Sequence, residues 1–248
     1  MSAGTAAASL PNAGTRRRGV RHSALVRVTH WVTALCFFAL LVTGVEIIIS
    51  HPRFYWGETG NVNTPALFEL PIPASRGYVQ TGYDYVLPDQ NGWSRALHFQ
   101  AAWLAVLTGT AYLVGGLLTG HFRRRLAPAR ADLAWSRLKQ VVGDHLRLRA
   151  PDTHTYNPLQ RLTYLGVVFV LAPTMLWTGL AMSPAFTAAF PWTVESLGGH
   201  QSARTLHFFL AGALLLFLAV HLGMIVLAGV RRTVGPMITG GVATEEDR

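Results

Sequence analysis

Four long apolar stretches divide the chain, and the charged positions gather between them. The stretches run from about Ser23 to Ser50, Ala96 to Thr119, Leu162 to Ser183 and Thr205 to Val230. Each is long enough for an α-helix that crosses the hydrocarbon core of a bilayer, which takes about 20 apolar residues. The pattern predicts an all-α protein, an integral-membrane four-helix bundle.

Charge supports this class and orients it. Only 13% of the residues are charged, against roughly 25% in soluble domains. The net charge of +9 comes from basic residues in the flanks of the spans, whereas a nucleic-acid-binding domain would gather them on one face. They stand before span one (Arg16, Arg17, Arg18, Arg21, Arg27), between spans two and three (Arg123, Arg124, Arg125, Arg130, Arg137, Lys139, Arg147, Arg149) and after span four (Arg231, Arg232). The positive-inside rule therefore predicts a multi-pass protein of the bacterial inner membrane with both termini cytoplasmic.

The segments between the spans complete the predicted organisation. Residues 1–22 form a disordered basic segment, 23–230 the membrane domain and 231–248 a cytoplasmic tail. The outer loop, residues 51–94, is long and aromatic, which favours an ordered cap that receives a partner. The cytoplasmic loop, residues 120–157, has apolar residues on one helical face among basic ones, as in an interfacial helix that contacts lipid (Leu138, Val141, Val142, Leu146).

Four histidines are the ionisable side chains well inside the apolar stretches, apart from Glu46 near the outer end of span one: His30, His98, His207 and His221. Ionisable groups within a bilayer are costly and point to function. The single cysteine, Cys36, excludes a disulfide framework or a CxxC site within one chain.

The depths of these histidines sort them into two pairs. His98 and His207 each lie three residues inside the outer end of a span, and His30 enters from the cytoplasmic side. His221 follows His207 by 14 residues, which is almost four turns, so both lie on one helical face at heights about 21 Å apart. Depth therefore predicts the pairs His98–His207 and His30–His221.

Two facing imidazoles in a bundle suit the axial ligands of a b-type haem, so the sequence predicts two b-type haems. The iron ligands would be His30 and His221 on the cytoplasmic side, and His98 and His207 on the outer side. Gly44, 14 residues after His30, would leave room for the outer haem, and other glycines are candidates for the same role or for close helix packing (Gly109, Gly115, Gly116, Gly179, Gly212, Gly223). A single zinc or copper ion is disfavoured because the pairs are too far apart. A haem-free proton-coupled transporter with a histidine relay is the alternative from another class.

An internal repeat places an arginine before three of these histidines. Arg95 and Arg204 share the pattern R-x-L-H-F with the histidine that follows, and Arg27 shares R-x-x-H. An arginine one turn nearer to water lies on the ligand's face, where it can pair with a haem propionate. The alternative is an interfacial arginine whose charged head reaches water.

These motifs together resemble the di-haem b-type cytochrome subunits of respiratory NiFe-hydrogenases, formate dehydrogenases and thiosulfate-reductase-like molybdoenzymes. The resemblance covers most of the chain. It implies the same histidine pairing. The outer loop, Gly120-His121-Phe122-Arg123-Arg124 and the end of span three are more similar to the molybdoenzyme-linked branch.

The resemblance also implies a quinone pocket beside the cytoplasmic-side haem. Its counterpart here is the element of Tyr156, Asn157 and Gln160. Their amides can bond a quinone carbonyl. The same residues also read as a helix start with Asn157 as N-cap.

The predicted function is electron transfer between quinone and a periplasmic oxidoreductase, a molybdopterin enzyme by the resemblance. Whether the chain is itself an enzyme stays open, because it would be one subunit of an oxidoreductase complex. The rival partner is a NiFe-hydrogenase or a formate dehydrogenase.

Overall fold

The computed structural model describes residues 22–61, 63–72, 90–128, 133–147 and 158–241. It contains four helical segments that are long and apolar enough to cross a membrane: Ala24–Ser50, Gly92–Leu118, Pro158–Ala181 and His200–Ala228. The predicted all-α bundle of four spans is therefore confirmed. Residue 62 and the segments 1–21, 73–89, 129–132, 148–157 and 242–248 lie outside the described residues.

The elements follow the chain in a simple order. They are α1 (Ala24–Ser50), β1 (Arg53–Phe54), β2 (Phe68–Glu69), α2 (Gln90–Leu118), a π-helical turn (Phe122–Leu126), α3 (Trp135–Leu146), α4 (Pro158–Gly166), a second π-helical turn (Val167–Leu171), α5 (Ala172–Ala181), α6 (Pro184–Ala189), α7 (Trp192–Glu195), α8 (His200–Ala228) and α9 (Val230–Thr239). The spans are α1, α2, α8 and the continuous run from α4 to α5.

The third span changes from α-helix to a π-helical turn and back to α-helix near its middle. The π-helical turn Val167–Leu171 precedes α5, and Pro173 stands in the first turn of α5. Proline has no N–H to donate to the preceding turn, so a regular α-helix would lose a bond there. The wider π turn accommodates this in the manner of a π-bulge.

The four spans pack as two close pairs. The closest helix packing is α1 against α2 and α5 against α8. The slot between the two pairs is where side chains of α8 meet those of α1 and α2, as the histidine contacts below show.

One end of the bundle, here called the hairpin end, carries β1, β2, α6 and α7. The strands pair antiparallel, with Arg53 opposite Glu69 and Phe54 opposite Phe68. Phe54 is 2% exposed and its ring lies 4.5 Å from that of Phe208 in α8, centroid to centroid. This aromatic contact places the start of the loop after α1 directly on span four.

Hydrogen bonds fasten the same loop to the first turns of α8. Thr205 donates to the Tyr55 carbonyl over 2.7 Å, and the Gly57 amide donates to Ser202 Oγ over 2.8 Å. The Glu58 carboxylate accepts from the His200 amide over 3.1 Å. A helix start leaves amides without internal partners, so the loop supplies the cap for α8.

The opposite end, here called the basic end, is closed by α9. Gly229, with φ +90°, separates α8 from α9. Arg27 donates to the Ile238 carbonyl over 2.9 Å, and the Trp31 indole donates to the Met237 carbonyl over 3.1 Å. Part of the expected tail is thus a helix that is docked on the start of α1, which the sequence pattern did not reveal.

The interfacial helix expected in the loop between spans two and three corresponds to α3, Trp135–Leu146. Val141 is buried there, whereas Val142 is exposed. The side chains of Leu138 and Leu146 lie outside what the structure describes.

Candidate functional site

The four membrane histidines meet across the slot between the helix pairs. The rings of His98 in α2 and His207 in α8 are 6.4 Å apart between centroids, with 59° between their planes. Those of His30 in α1 and His221 in α8 are 6.3 Å apart, at 53°. The structure thus brings together the same two pairs that depth along the spans predicts.

The spacing of each pair fits two axial ligands of one iron. A transition-metal–imidazole bond is about 2 Å long, so ligands on opposite sides of one ion hold their donor nitrogens about 4 Å apart and their ring centroids roughly 6 Å apart. Both observed distances agree with this. Within the described ranges, no group of three or more His, Cys, Asp and Glu side chains is placed to hold a metal ion.

Each ring of the hairpin-end pair, His98 and His207, has a threonine hydroxyl beside it. Thr43 Oγ1 lies 2.8 Å from His98 Nδ1, and Thr178 Oγ1 lies 2.9 Å from His207 Nδ1. Both threonines are fully buried. The described structure therefore gives each ring of this pair a hydrogen-bond partner on its Nδ1 side.

Glycines stand beside the same two rings. A Cβ placed on Gly44 would lie 3.8 Å from His98 Cε1, and one on Gly179 would lie 3.5 Å from His207 Cε1. Gly44 is thus at the predicted outer level. Gly115 and Gly116 instead allow close approach of Leu25 and Phe122. For Gly109, Gly212 and Gly223, none of the described residues places an atom within 4 Å of such a Cβ.

The basic-end pair, His30 and His221, has different surroundings. The Trp31 ring meets His30 edge-on at 5.2 Å, and Phe217 stacks on His221 at 5.7 Å with 19° between the planes. His30 Nδ1 is buried and has no hydrogen-bond partner within the part of the chain that the structure describes. Aromatic packing, rather than hydroxyl groups, surrounds this pair.

The three arginines of the repeat contact protein groups. Arg95 lies 3.5 Å from His51 Nε2, and Arg204 donates to the His51 carbonyl while its guanidinium lies over the Phe54 ring. Both therefore converge on His51 at the hairpin end. Arg27 is at the basic end, held by the Ile238 carbonyl.

The predicted quinone residues are described only in part. Tyr156 and Asn157 lie outside the described residues, and Gln160 is half-buried in the first turn of α4. Near the ends of α1 and α2 a cavity of about 340 Å³ is lined by both apolar and polar residues, among them Leu25, Tyr112, His121 and Arg124. This recess lies at the basic end, and the residues described in its lining belong to the start of α1 and to the end of α2 and the turn that follows it.

Reasoning from sequence missed Thr43, Thr178 and His51. The dipeptide Thr-Gly occurs at 43–44 and 178–179, but also at 59–60, 81–82, 108–109, 119–120 and 239–240, so it gave no specific signal. Threonine is common in transmembrane helices, so only its position against a histidine distinguishes it. His51 stands at the end of span one and carries no motif.

Comparison with known proteins supplies the family. The sequence profile of the prokaryotic cytochrome b561 family matches residues 21–240. A protein of Azospira oryzae, described as a protein-methionine-sulfoxide reductase subunit, YedZ1, is 29% identical over 88% of this chain and 96% of its own. A protein of Cupriavidus necator, described as a Ni/Fe-hydrogenase B-type cytochrome subunit, is 24% identical over 88% of this chain and 84% of its own. A protein of Azotobacter vinelandii with the same description is 24% identical over 92% of this chain and 89% of its own. No solved structure matches.

The chain belongs to the prokaryotic cytochrome b561 family. It is a membrane electron-transfer subunit of this type, and membership implies a b-type haem. The electron-transfer interpretation therefore replaces the alternative of a haem-free transporter.

Proposed function

We propose that this protein is a di-haem cytochrome b that connects quinone at the basic end with a redox partner docked at the hairpin end. The observation that carries the proposal is the pair of facing histidine sets, with ring centroids 6.4 Å and 6.3 Å apart. The α8 members of the two pairs, His207 and His221, lie 14 residues apart, which is a rise of about 21 Å along the helix. Each end of the slot therefore has its own ligand pair.

The roles of the side chains follow from their places. His98 and His207 would hold one iron, and His30 and His221 the other. Arg95 and Arg204, which meet at His51, would pair with propionates at the hairpin end, and Arg27 would do so at the basic end. Two b-type haems bound in this way supply one-electron carriers at two depths of the membrane.

The orientation rests on charge. The flanks at the basic end carry Arg123, Arg124, Arg231 and Arg232, whereas the hairpin-end loops are poor in Lys and Arg. The positive-inside rule then places the basic end and both termini in the cytoplasm of a bacterium, and the hairpin end in the periplasm.

The partner at the hairpin end would be a periplasmic oxidoreductase, for which we favour a molybdopterin enzyme. The relative described as a reductase subunit shares 29% identity, against 24% for the relatives described as hydrogenase subunits. A NiFe-hydrogenase is the second candidate, favoured by the relatives described as Ni/Fe-hydrogenase subunits, and a formate dehydrogenase is a candidate by the sequence resemblance alone.

Quinone would bind at the basic end, beside His30 and His221. Gln160, with Tyr156 and Asn157, offers amide and phenol groups that can bond a carbonyl oxygen. Gln160 lies in the first turn of α4 at the edge of the third span, where a quinone ring can reach polar groups while its tail stays in lipid.

Purification with spectroscopy tests the proposal. We expect a reduced-minus-oxidised spectrum of a b-type cytochrome, two haems per chain, and reduction on addition of a quinol. The Gln160→Ala variant should retain both haems and be reduced more slowly by quinol, whereas dithionite should still reduce it fully. A protein without haem, or with one haem per chain, would refute the di-haem proposal.

A further inference from the structure

The same dipeptide faces each histidine of the hairpin-end pair. Thr43-Gly44 of α1 lies against His98 of α2, and Thr178-Gly179 of α5 lies against His207 of α8. In both cases the threonine hydroxyl reaches Nδ1 and the glycine stands beside Cε1. Two different helix pairs therefore hold a ring in one common way.

The direction of each hydrogen bond follows from the proton count of a hydroxyl. Thr43 Oγ1 lies 2.7 Å from the Ala39 carbonyl, and Thr178 Oγ1 lies 2.9 Å from the Met175 carbonyl. A carbonyl can only accept, so a hydroxyl proton that is donated to it leaves the threonine oxygen to meet the imidazole with its lone pairs. In that arrangement Nδ1 of the imidazole is the donor.

This arrangement selects one tautomer of each ring. With the proton on Nδ1, the lone pair of the neutral imidazole is on Nε2, the nitrogen available to a metal. The neighbouring glycine leaves space beside Cε1, so the ring can keep the orientation that the hydroxyl imposes. A hydrogen bond from the far nitrogen of a ligand imidazole also makes that ligand more basic.

We propose that Thr43 and Thr178 are positioning residues that fix the tautomer and the orientation of His98 and His207 and lower the reduction potential of the hairpin-end haem. The inference rests on the proposed function, since it concerns histidines that bind haem. A more basic ligand stabilises oxidised iron, so the hydrogen bonds act on the potential through the ligand. His30 Nδ1 has no such partner among the described residues, so the two haems are tuned differently.

Valine and serine substitutions test the inference in the full-length, purified protein. Thr43→Val and Thr178→Val remove the acceptor and keep the branched shape, whereas Thr43→Ser and Thr178→Ser keep the hydroxyl. We expect each valine variant to raise the midpoint potential of the hairpin-end haem, the double variant to raise it further, and the serine variants to match the parent. The basic-end potential should not move.

A matched control exists in the same helix. Thr174 of α5 also donates its hydroxyl proton to a backbone carbonyl, that of Val170, over 2.7 Å, and the structure shows no bond from it to a described histidine. Thr174→Val should leave both potentials at the parent values. Resonance Raman spectra should show a weakened iron–imidazole bond in the Thr43 and Thr178 valine variants only.

The outcomes separate the two proposals. If the parent protein binds no haem, the proposed function fails. If the parent binds two haems and the double valine variant keeps the parent potential and Raman spectrum, or shifts both haems equally, the threonine inference fails. If a valine variant loses its haem, the serine variant at that position decides: the parent potential supports the inference, and a shifted potential or loss of haem overturns it.

Discussion

The hairpin-end and basic-end histidine pairs have nearly the same ring geometry and very different surroundings. Their ring centroids are 6.4 Å and 6.3 Å apart. Hydroxyl groups of Thr43 and Thr178 bond the first pair, whereas Trp31 and Phe217 pack on the second. The chain thus repeats one arrangement of facing histidines at two depths without repeating its surroundings.

The difference extends to the way each end is built. At the hairpin end, the loop after α1 is fastened to α8 through Thr205, Ser202 and Glu58. At the basic end, α9 is held on α1 by two side-chain bonds to carbonyls, from Arg27 and Trp31. Under the proposed function, these unequal settings would give the two haem sites separate properties, because a protein tunes a haem through its ligands' partners and through burial.

Removing one of the proposed haem-binding histidines should have the largest effect, and it should differ between the two sites. We expect His207→Ala to halve the haem content by removing the hairpin-end haem, and His221→Ala to remove the basic-end haem instead. Pyridine haemochrome analysis and redox titration measure this. His200→Ala, at the start of α8, serves as control and should retain both haems. If His207→Ala and His221→Ala removed the same redox species, or neither removed one, the pairing would be wrong.

A backbone change should weaken the hairpin end as a unit. Gly199 has φ +111°, and a Cβ there would lie 2.6 Å from backbone atoms of Gly57 and Glu58. Gly199→Ala should therefore destabilise the fold by about 2–5 kcal/mol from strain and overlap together. Thermal unfolding in detergent, followed by haem absorbance, should show a lower midpoint with earlier release of the hairpin-end haem.

The control for this change is Gly92→Ala in α2, where a Cβ would meet no described atom within 4 Å. It should unfold at the parent temperature or slightly above it, because alanine favours a helix over glycine. Equal midpoints for Gly199→Ala and the parent would show that the loop does not need this close approach to α8.

A smaller effect is expected from crowding a single ring. A Cβ on Gly179 would lie at ordinary contact distance, 3.5 Å from His207 Cε1, so Gly179→Ala should be tolerated. Gly179→Val adds methyl groups that overpack the ring, at a cost of about 1–3 kcal/mol, and should lower the occupancy of the hairpin-end haem alone. Gly143→Val in α3, where a Cβ would meet no described atom within 4 Å, is the control, and haem content with redox titration is the measurement. Equal loss of both haems would contradict the local effect.

Much of the arrangement could be predicted from the sequence because it depends on local periodicity. The apolar stretches give the four spans, and the positions of His207 and His221 place both on one face of α8. Thr43 and Thr178 were not predicted, since a threonine on a span gives no sign of which neighbouring helix it faces. His51 and α9 were missed for a related reason: their contacts, to Arg204 and to Arg27, join residues far apart in the chain.

The sequence by itself determined the number of spans, the depth of each histidine and hence the two pairs, because helical rise and the cost of polar groups in lipid act along one segment at a time. The tertiary structure alone decided that α1 pairs with α2 and α5 with α8, that a Thr-Gly dipeptide faces each hairpin-end ring, and that the loop after α1 caps α8. Those features depend on how helices rotate and approach one another, and packing sets that only once all four spans are together.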